Sequence, residues 1–195
     1  RIEKLKVGPY TSGQDVDYGP VVTAAAKNNI LNLVQTGVDQ GATLVVDGRD
    51  FSLQGYEDGF FVGPHLFDNV TPNMDIYTKE IFGPVLCTVR AGNYEEALGL
   101  AMDHEYGNGT AIFTRDGDAA RDFANRINVG MVGINVPIPV PLAYHTFGGW
   151  KKSAFGDLNQ HGPDAFRFYT RTKTVTSRWP SGIKEGGEFN FKAMD

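Results

Sequence analysis

Apolar residues recur at helical spacing in three stretches of the chain, with short extended runs between them. Val22, Ala26, Ile30 and Leu33 form the first stripe. They predict a helix opened by Gly19-Pro20, where proline suits the first turn, and stopped by Gly37 or Gly41. Tyr94, Ala97, Leu98 and Ala101 form the second. It starts at Asn93 with Glu96 three residues on, a capping-box-like signal. Ala119, Ala120, Phe123, Ala124 and Ile127 form the third, capped by Asp116 and ended by Asn128 and Gly130. The extended runs are Thr43-Leu44-Val45-Val46, closed by the Asp47-Gly48 turn, and Phe60-Phe61-Val62, which Gly63-Pro64 separates from His65-Leu66-Phe67. Val85 to Val89, Thr110 to Phe113 and Val129 to Ile134 follow. Residues 49–59 read as a polar loop or hairpin, and 68–75, with Pro72, as a second loop. Strands alternating with helices of about ten or more residues predict βαβ units, a mainly parallel sheet and an α/β fold.

The pattern changes at Asn135. Proline occupies alternate positions 137, 139 and 141, which excludes a helix or a central strand and predicts a stiff extended loop. The loop continues through Phe147-Gly148-Gly149-Trp150-Lys151-Lys152-Ser153 and on to Gly162, a length that in a compact domain usually serves function or linkage. Asp164 to Phe168 reads as a turn or two of helix. Tyr169 to Arg178 alternates threonine and basic residues with valine and reads as an edge strand. Residues 180–195 read as a surface tail. At the other end, Arg1 to Val7 reads as the end of a helix running into Gly8. With no Met it reads as a protein entered in the middle.

The chain has 195 residues, 41% hydrophobic and 21% charged, an ordinary globular composition, and the length fits one domain. A net charge of -5 argues against nucleic acid or an anionic membrane as partner. No run approaches the roughly 18 apolar residues of a membrane span, and no signal peptide is read. One cysteine excludes an internal disulfide and fits a reducing compartment: the cytoplasm, or the mitochondrial matrix in a eukaryote.

The candidate chemistry centres on Lys79-Glu80-Ile81-Phe82-Gly83-Pro84-Val85. A glycine lets the backbone bend, proline fixes the next φ, and a carboxylate and a ring are held together at a corner. Cys87 sits in an apolar strand with no basic neighbour to lower its pKa, so it reads as a small hydrophobe. The four histidines show no ligand spacing, and no metal is expected. His145, between the proline loop and Phe147, is the one placed to face a cleft. Lys151 and Lys152 have two readings, attraction of a carboxylate or phosphate, or simple exposure. No Gly-x-Gly-x-x-Gly or Walker pattern is present to bind dinucleotide phosphates.

Four segments together resemble the aldehyde dehydrogenase superfamily, over about residues 4 to 179: the Lys79–Pro84 corner, Tyr106-Gly107 before Phe113-Thr114-Arg115-Asp116, Phe147 to Ser153, and Lys173-Thr174-Val175. Three further stretches resemble the methylmalonate-semialdehyde dehydrogenase group within it: Ile134 to Pro141, Ser153 to Gly162, and Thr176 to Pro180. The resemblance implies a three-layer catalytic domain with a mainly parallel sheet over 1–168, and an oligomerisation strand and tail over 169–195. It implies oxidation of malonate or methylmalonate semialdehyde with NAD, transfer of the acyl group to coenzyme A, and loss of CO2. Glu80 would accept hydrogen bonds from the nicotinamide-ribose hydroxyls. Phe82 would pack at the nicotinamide end, its other reading being a core aromatic, and Phe147 would line the aldehyde pocket or act as a packing anchor. By the same resemblance the nucleophilic cysteine, the general base and the dinucleotide-binding domain all lie upstream. The chain is then a C-terminal portion, inactive alone and without a catalytic residue of its own. The alternative is a non-catalytic, oligomerising remnant. Either way 169–178 would join a homodimer or tetramer.

Overall fold

The computed structural model describes residues 1–12 and 15–179. The tail expected over 180–195 lies outside the described residues. Among the described residues there are five α-helices: α1 (Ala24–Asp39), α2 (Asp75–Thr78), α3 (Tyr94–Asp103), α4 (Gly117–Arg126) and α5 (Ala165–Tyr169). The strands are β1 (Thr43–Val46), β2 (His65–Asp68), β3 (Val85–Cys87), β4 (Tyr106–Gly107), β5 (Gly109–Ile112), β6 (Met131–Ile134) and β7 (Trp150–Lys151).

The α/β fold is observed, but its pairing is divided among three small sheets. β2 and β3 run parallel, as do β5 and β6, and in each case a helix lies in the connection. β1 and β2 are antiparallel, with no helix among the residues that join them. The connection at 47–64 carries no crossover helix, the usual link of a parallel pair, and the chain returns antiparallel. β4 and β7 form the second antiparallel pair.

α1 begins later than the proline suggested. Thr23 caps it, its Oγ1 accepting the Ala26 N–H at 3.1 Å. The Val21 N–H donates to Phe60 O at 3.0 Å, which holds the preceding residues extended, and Val22 stands 86% exposed instead of joining the stripe. Gly41 ends the helix at φ 94, where its N–H reaches Val38 O and that of Ala42 reaches Gly37 O. This is the double-bonded C-terminal motif that favours glycine at its left-handed position. The predicted caps of α3 and α4 are both present: Asn93 Oδ1 accepts from Glu96 N, and Asp116 Oδ1 from Asp118 N and Ala119 N.

Two hydrophobic cores result. Leu33, Val34, Ala42, Phe67, Val70, Met74 and Ile76 fill the first, between α1 and the three-stranded sheet. Leu98, Phe123, Ile127 and Val129 fill the second, under α3 and α4. α2 follows the loop read at 68–75, over residues for which the pattern predicted no element. Residues 2–4 form a turn of 3-10 helix in place of a helix end.

Among the described residues the segment at 169–178, expected to pair with another subunit, forms no strand within this chain. Tyr169 closes α5, and residues 170–179 carry no strand. Its alternation supplies one side of a ladder, but a strand exists only where a second edge accepts its backbone bonds. The chain's own sheets bring none to it among the described residues.

His65 is a buried polar exception, 1% exposed, and neither ring nitrogen has a hydrogen-bond partner among the described residues. Asp47 Oδ1 lies 4.0 Å from its Nε2. Burial pushes the imidazole below its ordinary 6.5, against a smaller opposing pull from Asp47. Above the ordinary value both folded and unfolded chains hold a neutral ring. Below it the unfolded chain takes up a proton that the folded chain resists, so stability present at higher pH is lost as pH falls. The urea midpoint is therefore expected to drop between about pH 8 and about pH 5, and the drop should flatten in His65→Leu. Equal slopes for the two proteins would refute this assignment.

Candidate functional site

The corner begins on α2. Lys79 N–H donates to Asp75 O, and the Lys79 ammonium reaches Asp75 Oδ2 at 2.6 Å, while the Asp75 N–H donates to Gln40 Oε1 on the residue that follows α1. Phe82 then takes φ 54, a left-handed conformation that costs a residue with a side chain. Gly83 packs on α1: a β-carbon there would lie 2.5 Å from Ile30 Cδ1. The Val85 N–H closes the bend on Gly83 O at 2.8 Å, and β3 begins.

The result exposes both residues of interest. Phe82 is 82% exposed and joins neither core of this chain. Glu80 lines a cleft of about 530 Å³ together with Tyr77, Thr78, Lys79, His104, Tyr106, Asn108, Lys152 and Ser153. Its carboxylate makes no side-chain hydrogen bond among the described residues, so it is available as an acceptor for a ligand.

Residues 106–108 and 152–153 reach this cleft through the β4–β7 pair. Gly107 N–H donates to Ser153 Oγ at 3.0 Å, and Lys152 N–H to Glu105 O at 3.1 Å. Lys152 also pairs with the Glu105 carboxylate, which raises its pKa. Lys151 Nζ donates to Met102 O at 2.6 Å and His104 O at 3.0 Å, at the C-terminal end of α3, where carbonyls seek donors and the helix dipole favours a cation. Both lysines are thus engaged within the fold.

Phe147 does not line this cleft. It is partly buried and stacks on His161, ring centres 4.3 Å apart. Immediately after it, Gly148 and Gly149 cross Gly130 so closely that a β-carbon on Gly130 would sit 1.9 Å from Gly149 N. His145, the histidine expected at a cleft, is exposed and stacks on Tyr144 at 4.3 Å. The histidine at the cleft is His104, which follows α3 with nothing in its sequence context to mark it. Tyr77 and Tyr106 were also missed as lining residues. Among the described residues no group of three His, Cys, Asp or Glu side chains converges as a metal site, and no helix is long and apolar enough to cross a membrane.

The profile of the aldehyde dehydrogenase family matches residues 1–175. The malonate-semialdehyde dehydrogenase of Pseudomonas aeruginosa is 58% identical over 195 residues, covering 100% of this chain and 39% of that protein. The acylating, mitochondrial methylmalonate-semialdehyde dehydrogenase of Arabidopsis thaliana is 48% identical over 180 residues, 91% of this chain and 30% of that protein. A Sinorhizobium meliloti 1021 protein solved in complex with NAD is 71% identical with a TM-score of 0.87, covering 94% of this chain and 37% of that one. The chain therefore spans 30% to 39% of the length of these relatives.

Cys87 stays on the apolar side of the sheet. It is half-buried, its thiol donates to Ile76 O at 3.7 Å, and burial raises its pKa. A thiol kept protonated is a poor nucleophile. Iodoacetamide at neutral pH is expected to label it slowly in the folded chain and fast in urea. Equal rates would contradict this placement.

Proposed function

The chain belongs to the aldehyde dehydrogenase family, and from that premise we propose that it forms the C-terminal part of an NAD-dependent, CoA-acylating malonate- or methylmalonate-semialdehyde dehydrogenase. The observation that carries the reading is 58% identity to a malonate-semialdehyde dehydrogenase across the whole chain. The acylating name of the Arabidopsis relative supports coenzyme A as acceptor. The NAD complex of the Sinorhizobium protein supports the cofactor. The overall reaction takes semialdehyde, coenzyme A and NAD to acyl-CoA, CO2 and NADH.

The cofactor supplies the hydride acceptor. Glu80 suits a ribose diol: it is exposed, it borders the cleft, and its carboxylate has no competing bond among the described residues. A charged acceptor on two hydroxyls gives strong, directional bonds and holds the nicotinamide in one place. Phe82, turned outward by its left-handed backbone, offers an apolar face beside that carboxylate. Phe147 serves the aldehyde end on this reading, with His161 behind its ring. The nucleophile comes from residues outside this chain, because the single thiol, Cys87, is apolar in its setting.

The test is NADH formation. The complete protein should form NADH from malonate or methylmalonate semialdehyde only with NAD and coenzyme A present, and these 195 residues alone should form none. Glu80→Gln in the complete protein should weaken NAD binding about tenfold, the value of a charge-assisted bond. Full NAD affinity in that variant, or turnover by the isolated chain, would sink the reading.

Residues 169–178 serve on this reading as a strand added to another subunit's sheet. Tyr169 and Val175 stand 72% and 77% exposed, and among the described residues the segment joins no sheet of its own chain. Light scattering should find a dimer or tetramer of the complete protein and a smaller species once 169–195 are deleted. An unchanged mass would remove this role.

A further inference from the structure

The cleft histidine is bonded on both sides. His104 Nδ1 accepts the Tyr106 N–H at 3.2 Å. An amide can only donate, so the ring proton sits on Nε2, which lies 3.3 Å from Tyr77 O and donates to it. The ring meets Tyr77 edge-on, centres 5.3 Å apart, and leans on Tyr106 at 5.9 Å. The Tyr77 hydroxyl donates across to Leu100 O on α3 at 3.0 Å. Tyr77 belongs to α2 and stands three residues before Glu80.

Among the described residues nothing bonded to the Glu80 carboxylate fixes its position, so the backbone beneath it must. α2 has four residues, too few to hold itself as a helix. The Lys79–Asp75 pair moves with that turn. The Asp75–Gln40 bond and the Gly83–Ile30 contact hold it on the α1 side, and Ile76, buried in the first core and bonded by Cys87, holds it on the side of the three-stranded sheet. Across the cleft its ties are those of Tyr77, to Leu100 and to His104.

We propose that His104 is a positioning residue for Glu80. Its Nε2–H on Tyr77 O straps α2 to the turn between α3 and β4 and so sets how far the carboxylate stands from the opposite wall at Lys152 and Ser153. This rests on Glu80 being a ligand of NAD.

The complete enzyme separates the possibilities. In His104→Gln the amide nitrogen falls near the place of Nε2 and can still donate to Tyr77 O. In His104→Asn the side chain ends near Nδ1, keeps an acceptor for Tyr106 and loses Tyr77. NAD titration should show affinity lower by about tenfold in His104→Ala and His104→Asn, with His104→Gln restoring most of it. In a Glu80→Ala background His104→Ala should add little, because its effect passes through that carboxylate. Wild-type affinity in His104→Asn, or a full additive loss on top of Glu80→Ala, would overturn the role. Should His104→Ala fail to fold, the contrast between Gln and Asn decides alone. If Glu80→Ala itself leaves NAD affinity unchanged, the reading of Glu80 fails and this inference falls with it. A normal Glu80 effect with inert His104 variants removes this inference only.

Discussion

Ile76 and Tyr77 are consecutive and serve different cores. Ile76 is 4% exposed and packs with Phe67 and Val34 in the first. Tyr77 turns the other way, and its hydroxyl bonds the backbone of α3, whose Leu98 belongs to the second. A single turn of helix can present adjacent side chains about 100° apart, which is what such a junction requires. Everything at the cleft depends on this divergence. The corner of Glu80 starts one residue beyond the turn, so the seam between two cores is also the floor of the candidate site. Sites at such seams are common, because two packed units leave a concave boundary that neither can fill.

The seam also explains what could be read in advance. α3 and α4 were legible with their starts, because a cap is a local matter of one side chain and two or three N–H groups. β5 and β6 were legible within a residue or two as apolar runs around a helix. The start of α1 was not: proline at 20 is a permissive signal, whereas Thr23 supplies an actual bond, and the Val21–Phe60 bond that keeps residue 20 outside spans 39 positions. The strand read at 169–178 meets no edge of its own chain among the described residues, a long-range matter of the same kind. Alternation describes one edge, and pairing requires two.

At the site, Glu80 and Phe82 were legible because an unusual local sequence, charge then ring then Gly-Pro, builds an unusual local shape. His104 was not. Its partners are at 77 and 106, and the residues opposite it come from 152 and 153. No window of sequence contains that arrangement. The two lysines illustrate how an open choice closes. Sequence allowed a ligand-attracting pair or two solvated charges. Lys151, held at φ 54, instead spends its ammonium on the carbonyls at the end of α3, and Lys152 on Glu105. Their electrostatic pull on a substrate is correspondingly reduced, since each positive charge is already met.

The glycines after Phe147 then take on a different purpose from that of a substrate loop alone. Gly148 and Gly149 both have positive φ and pass against Gly130 at a separation that admits no side chain on it. Beyond the crossing, β7 pairs with β4, Tyr106 opposite Lys151 and Gly107 opposite Trp150. That register carries Lys151 to the end of α3 and brings Ser153 Oγ to the Gly107 N–H. A larger residue at 130 would push this strand away from β4 and withdraw one wall of the cleft, with Phe147 still free to stack on His161. The Phe-Gly-Gly segment therefore acts at two places. Its ring is anchored on one side of the crossing, and its glycines deliver the far wall opposite Glu80 on the other.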